Sequence, residues 1–188
     1  ADPALASRAA EIALLADQPQ QALQRALRWA ELEPQSLEAN QLVGVLQLRA
    51  GQIEASTRTL LESLPDDPAL REAALARVGG LLLDESLRGG SMQVMQALAA
   101  ALPDSDIAQL SFARIALVHE NPGIALQNLA AVIERNPQWI NARLLRVDAL
   151  IAAGKAQASA VFLLPPLSMP FASSHLRSSR RICVSAWR

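Results

Sequence analysis

The 188-residue sequence predicts an all-α fold, a solenoid of repeated helix-turn-helix units, on three observations. Pro34, Pro68, Pro103 and Pro137 follow one another at intervals of 34, 35 and 34 residues. Each closes a stretch whose apolar residues recur at the three-and-four spacing of a helix buried along one face. Leu and Ala dominate, three Trp, three Phe and no Tyr leave the core aliphatic, and strand signals are nearly absent. A fixed interval of this size marks one supersecondary unit copied end to end, each copy burying its apolar face on the next.

Asp2 before Pro3 reads as an N-cap with proline at the first helical position, and Leu5, Ala9, Ile12, Ala13 and Ala16 form the expected inward face up to a turn at Asp17-Gln18-Pro19. A second helix runs from about Gln20 to Leu32 with Ala22, Leu23, Ala26, Leu27 and Ala30 inward and Trp29 packing on the next unit. Leu37 to Ala50 and Ile53 to Leu64 form the next pair around Gly51-Gln52. Asp66 and Asp67 read as the cap of the following helix rather than a paired-carboxylate site, because acids are favoured at helix N-termini. The third pair is predicted at Arg71–Leu83, weakened by Gly79-Gly80, and Met92–Leu102, with the extra residue of the period in the connection between them. In that connection Gly89-Gly90-Ser91 lacks the lysine of a phosphate loop and reads as a turn, while Met92 and Met95 read as core. The fourth pair turns Leu110, Phe112, Ile115 and Ala116, then Ala125, Leu129, Val132 and Ile133, inward, with His119 a solvated turn residue. A fifth first helix carries Leu144, Val147 and Leu150, and its turn falls at Gly154.

Numbered from Pro3, Leu37, Arg71, Asp106 and Ile140, the units cover about 3–36, 37–70, 71–105, 106–139 and a partial 140–154. A small eighth residue, where two helices touch, falls on Ala10, Gly44 and Ala113, with Val78 and Val147 as departures. The twentieth falls on Ala22, Ser56 and Ala125, and on Ser91 if one residue is inserted; the turn slot holds Asp17, Gly51, Glu120 and Gly154. In these slots and the closing proline, residues 3 to about 154 resemble the tetratricopeptide repeat family, with Ala13, Gln47 and Ala116 where that family carries large aromatics. The resemblance implies a right-handed α-solenoid whose first helices line a groove for a peptide or helix of another protein. The groove slots it assigns are Ser7, Glu11 and Leu14; Glu38, Gln41, Leu42, Val45 and Leu48; Leu75; Leu110, Arg114 and Leu117; and Leu144 and Asp148. Members that clamp carboxylates use lysines, arginines and asparagines at the fifth, sixth and ninth slots, and this chain has Ser7, Gln41, Leu75, Leu110 and Leu144 at the fifth, which fits that role poorly. Residues 2–13 and 26–34 are further similar to bacterial envelope lipoproteins of this type, which implies a lipid-anchored periplasmic protein; a cytoplasmic location is the alternative.

Chemistry and charge narrow the function classes. Two unpartnered histidines and a single Cys183 supply no catalytic, cofactor or metal constellation and no intramolecular disulfide, so an enzyme is not expected. No run of about 18 apolar residues spans a membrane. Residues 1–148 hold all 18 acids against 12 Arg, a balance of −6, which suits nucleic acid poorly and disfavours an RNA-binding repeat; a module of a regulatory protein remains the alternative to an adaptor. Residues 149–188 hold five bases and no acid. From about Gln157 the composition turns to Pro, Ser and Arg, and residues 157–188 read as a disordered tail, a basic arm that docks on a membrane or partner, or an out-of-frame translation of a GC-rich gene. Without a second helix in the fifth unit, Leu144, Leu150 and Ile151 need a cover, from Val161–Phe171 or from a second copy in a homodimer.

Overall fold

The computed structural model describes residues 2–84 and 89–154. Among them lie nine helices and no strand: α1 (Pro3–Leu15), α2 (Pro19–Leu32), α3 (Leu37–Arg49), α4 (Ile53–Glu62), α5 (Pro68–Asp84), α6 (Ser91–Ala101), α7 (Asp106–Val118), α8 (Pro122–Arg135) and α9 (Ile140–Ala152). Their starts are written in the sequence. The carboxylate of Asp2 and the hydroxyls of Ser36 and Ser105 accept from the backbone N–H of Ala4, Ala39 and Ala108 at 2.9, 3.2 and 3.1 Å. Asp67 accepts from Leu70 N–H at 2.9 Å ahead of Pro68, the capping role expected of it.

The turns that follow α1, α3, α7 and α9 repeat one backbone conformation. Asp17, Gly51, Glu120 and Gly154 have φ of 54°, 74°, 58° and 71°. The N–H groups of Asp17, Gly51 and Glu120 donate to Leu14, Leu48 and Leu117, and those of the residues after them donate to Ala13, Gln47 and Ala116. This is the Schellman closure, which uses up the last carbonyls of a helix and reverses the chain. Its recurrence at one slot makes the repeat a backbone feature, whatever residue occupies the position.

Consecutive helices pack as antiparallel neighbours, α1 on α2, α3 on α4 and α7 on α8, and each pair passes its second helix to the next unit, α2 on α3 and α8 on α9. The core is the sum of these seams. Ala10, Ala22, Ala26, Val43 and Leu46 form one cluster; Leu60, Leu75, Val78, Met95, Leu98 and Ile115 belong to a second; Ala113, Ala125, Leu129, Val132 and Ala142 belong to a third. Each fully buried Leu, Ile or Met contributes about 1.5–3 kcal/mol.

The third unit departs from the expected register. Helix α5 starts at Pro68, one turn before Arg71, and packs mainly on α7 of the following unit, while α4 packs on α6. The buried small residues Ala10, Gly44, Gly79 and Ala113 step by 34, 35 and 34, as the prolines do, so Gly79 rather than Val78 holds the eighth slot. Buried Ala39, Ala74 and Ala108 step by 35 and 34, which puts the extra residue ahead of Ala74 and not between α5 and α6. A Cβ on Gly79 would stand 2.4 Å from Ser111 Oγ, so this glycine lets α5 approach α7 instead of simply weakening its helix. The slot-twenty serines are both fully buried, and Ser56 Oγ donates to Gly44 O at 2.7 Å.

Smaller expectations are refined. Of the inward face expected of α1, Ala13 is buried, together with Ala10, while Leu5 and Ile12 are 70% and 60% exposed, because α1 packs chiefly on α2. Trp29 is half-buried and donates its indole N–H to Glu33 at 2.7 Å. His119 caps α7, with its Nε2 3.4 Å from Ser91 Oγ. At the far end Leu150 is buried, while Leu144 and Ile151 are 48% and 57% exposed. The Val161–Phe171 segment and the rest of 157–188 lie outside the described residues.

Candidate functional site

The first helices form one layer, and across it α1, α3 and α5 enclose a cleft of about 400 Å³. Its floor is aliphatic, made by Leu14, Leu42, Val45, Leu46 and Leu81. The walls come from equivalent slots of adjacent units: Arg77, Leu81 and Asp84 on α5 stand 35 residues after Leu42, Leu46 and Arg49 on α3. The repeat therefore builds the cleft twice from one pattern, with one turn of helix between each pair of lining residues.

Charge is confined to the rim. Arg77 donates to Glu38 at 3.0 Å across α3 and α5, both side chains being more than half exposed. The Glu38 carboxyl is held below its ordinary value of 4.5, first by its own backbone N–H and then by the Arg77 guanidinium. Arg49 and Asp84 stand at the other end. Gln41 is buried among them and reaches Ala74 O at 3.5 Å, a long hydrogen bond that tethers α3 to α5. An apolar trough of this volume with a few polar groups at its edge matches the form of sites that take a small apolar element.

Of the residues assigned to the groove from sequence, Gln41 and Val45 meet here, together with Leu14, Glu38 and Leu42. Leu48 and Leu75 do not line it: both are buried in the second core cluster. Numbering from Arg71 puts Leu75 at a lining slot, and the extra residue before Ala74 turns it inward. Leu110 is 5% exposed and, with Arg114, borders a recess of only about 90 Å³ between α5 and α7. Leu117 packs on the third cluster. Ser7 is half-buried, Glu11 pairs with Arg8 at 3.6 Å, and Leu144 and Asp148 are exposed on α9, well along the layer from the cleft. Arg77, Leu81 and Asp84 are lining residues that sequence reasoning missed. Counting unit three back from Pro103 would have found them, since that count puts Arg77 at the slot of Leu42.

Among the described residues no group of three or more His, Cys, Asp or Glu is placed to hold a metal, and no helix is long and apolar enough to cross a membrane.

No family model and no curated protein matches the chain. Similar solved structures include MamA residues 41 to the end from Desulfovibrio magneticus RS-1, at 18% identity over 86% of this chain and 90% of that one, with a TM-score of 0.48. A further MamA structure has 13% identity over 86% and 87% with a TM-score of 0.47. A tetratricopeptide repeat protein from Parabacteroides merdae ATCC 43184 has 16% identity over 86% and 62% with a TM-score of 0.44. What fixes the architecture is internal to this chain: helical pairs stepping once per closing proline, small residues at the crossing slot of the first four units and a recurring left-handed turn after α1, α3, α7 and α9 make it a tetratricopeptide-like α-solenoid.

Proposed function

We propose that the chain is a non-catalytic scaffold whose residues 1–156 hold a peptide or short helix of a partner protein in the cleft between α1, α3 and α5. The observation that carries this reading is the aliphatic floor of Leu14, Leu42, Val45 and Leu81 under a rim carrying the Glu38–Arg77 pair. Apolar anchors of a peptide seat in such a floor, and rim charges fix its direction and register more than its affinity. The net acidity of the array favours a protein over a nucleic-acid partner. Envelope location rests on the resemblance of residues 2–13 and 26–34.

Selection of displayed peptides on the immobilised chain tests the reading. Peptides so selected carry two or more apolar anchors and lose at least about tenfold in affinity on Leu42→Glu and Leu81→Glu, a cost of about 1.4 kcal/mol. Their affinity stays unchanged on Arg58→Glu, an exposed site on α4. Equal binding to all three variants would show that the cleft is not the site.

A further inference from the structure

Helix α5 has a depression on each side of its open face. Arg77, Leu81 and Asp84 form one wall of the cleft. Ala76, Gly79 and Gly80 border the recess of about 90 Å³ that α5 shares with α7. At 3.6 residues per turn, Ala76, Gly80 and Asp84 step around α5 from the recess side to the cleft side, and all three are exposed. Gly80 is therefore the ridge between the two depressions, and a Cβ built on it meets nothing within 4 Å. Gly79 is needed for α5 to approach Ser111, whereas no contact requires Gly80, which only weakens its helix. Its effect is to leave the ridge bare, so that a main chain can lie across α5 from the cleft into the recess.

Two polar side chains along this line have unspent hydrogen-bonding capacity. Gln41, 2% exposed, lines the cleft and makes one hydrogen bond, the long one to Ala74 O, so its Oε1 accepts from no group among the described residues. A side-chain amide buried to that degree ordinarily has both its ends satisfied. In the recess, Arg114 is exposed and takes part in no hydrogen bond or ion pair among the described residues, although residues 1–148 carry a balance of −6. Ser111, one turn earlier on α7, adds a hydroxyl to the same recess.

We infer that the site continues across α5. An extended segment of the partner sets an apolar side chain on the floor of Leu42 and Leu81, donates a backbone N–H to Gln41 Oε1, crosses over Gly80 and places an acidic side chain on Arg114 and Ser111. The inference rests on the cleft being the binding site and adds a second subsite to it. Its spacing follows from the backbone: alternate residues of an extended chain point the same way and lie about 7 Å apart. Neighbouring helices stand about 8–10 Å apart, and the long arm of Arg114 spans the remainder. The partner therefore carries an apolar residue, any residue, then Glu or Asp. A partner helix would need the acid three or four positions on instead.

Fluorescence titration of the full 188-residue chain with peptides blocked at both ends tests this. Each peptide carries the apolar anchors found by display, with Glu two positions after the last anchor, Gln at that position, or Glu four positions after it. Glu at the second position binds about threefold more tightly than its Gln twin, within the range of an exposed ion pair. The preference vanishes on Arg114→Gln and fades as salt approaches about 1 M. Gly80→Leu raises the urea midpoint, as a helix former in place of glycine does, yet removes the preference by closing the passage. Twins that bind the unsubstituted chain alike, a preference that survives Arg114→Gln or Gly80→Leu, or tighter binding with Glu at the fourth position would overturn the inference, while Leu42→Glu still weakens every peptide. If Leu42→Glu weakens none of them, the cleft reading itself fails and the second subsite falls with it.

Discussion

Replacing Gly44 by alanine tests the crossing on which every unit depends. An ideal Cβ at this position stands 2.6 Å from both Cγ and Cδ2 of Leu60, whose side chain is fully buried. Because Cγ is itself in conflict, turning Leu60 about χ2 does not relieve it, and a new χ1 would have to find room in a fully buried site, so α3 and α4 must separate or Leu60 must repack. Separation also stretches the 2.7 Å hydrogen bond from Ser56 Oγ to Gly44 O. Alanine gains about 1 kcal/mol over glycine in helix propensity. Overpacking costs about 1–3 kcal/mol, and the lost hydrogen bond adds about 1 kcal/mol. The expected net effect is a loss of about 1–3 kcal/mol. Unit one supplies the compensating change, since Ala10 there faces Ala26 at the slot of Leu60. Leu60→Ala alone costs about 2–5 kcal/mol through its cavity. In that background Gly44→Ala becomes neutral or stabilising, so urea unfolding of the four proteins returns a coupling of about 1–3 kcal/mol. A stabilising Gly44→Ala in the Leu60 background, or a cycle with no coupling, would refute the close crossing.

Three further outcomes rest on the same geometry. Adjacent glycines in α5 respond oppositely: Gly79→Ala meets Ser111 Oγ and Cβ at 2.4 and 2.7 Å and destabilises by about 1–2 kcal/mol, while Gly80→Ala meets nothing within 4 Å and stabilises by about 0.5–1 kcal/mol, both read from urea midpoints. Glu120 occupies a left-handed turn at φ 58°, so Glu120→Gly raises stability by about 0.5–1 kcal/mol, whereas Gly51→Ala at φ 74° lowers it by a similar amount, checked by thermal unfolding. Glu38, its carboxyl held below 4.5 by the folded state, adds stability that is present above that pH and lost as pH falls through the lower folded value; the stability gap between the unsubstituted chain and Glu38→Gln therefore closes on acidification below 4.5 and not on raising pH.

The repeat is legible because its rules are local. A closing proline, a small residue at a crossing and a reversing turn act within a few residues, so Ala10, Gly44, Ala113 and the four turn positions can be read from spacing alone. The third unit misleads where two local signals disagree. Asp67-Pro68 starts α5 a turn early, and numbering from Arg71 hides the agreement of Ala74, Gly79 and Arg77 with their counterparts. The α5 wall of the cleft, Arg77, Leu81 and Asp84, is lost with that register. Leu48 and Leu75 fall on the surface in a sequence reading because the first helices are apolar on more than one side, and periodicity alone does not say which side faces a neighbour and which stays open. The Glu38–Arg77 pair joins residues 39 apart and becomes visible only when α3 and α5 are placed side by side. The bond from the Trp29 indole N–H to Glu33, the residue that caps the end of α2, is likewise not written in the repeat spacing.

Backbone chemical-shift mapping of the chain titrated with a selected peptide tests the central claim most directly. Perturbations concentrated at Leu14, Leu42, Val45 and Leu81, and absent from the outer faces of α2 and α4, are the predicted result. Perturbations centred on α2 and α4, or spread evenly without a focus on α3 and α5, would contradict a scaffold that grips its partner in the layer of first helices.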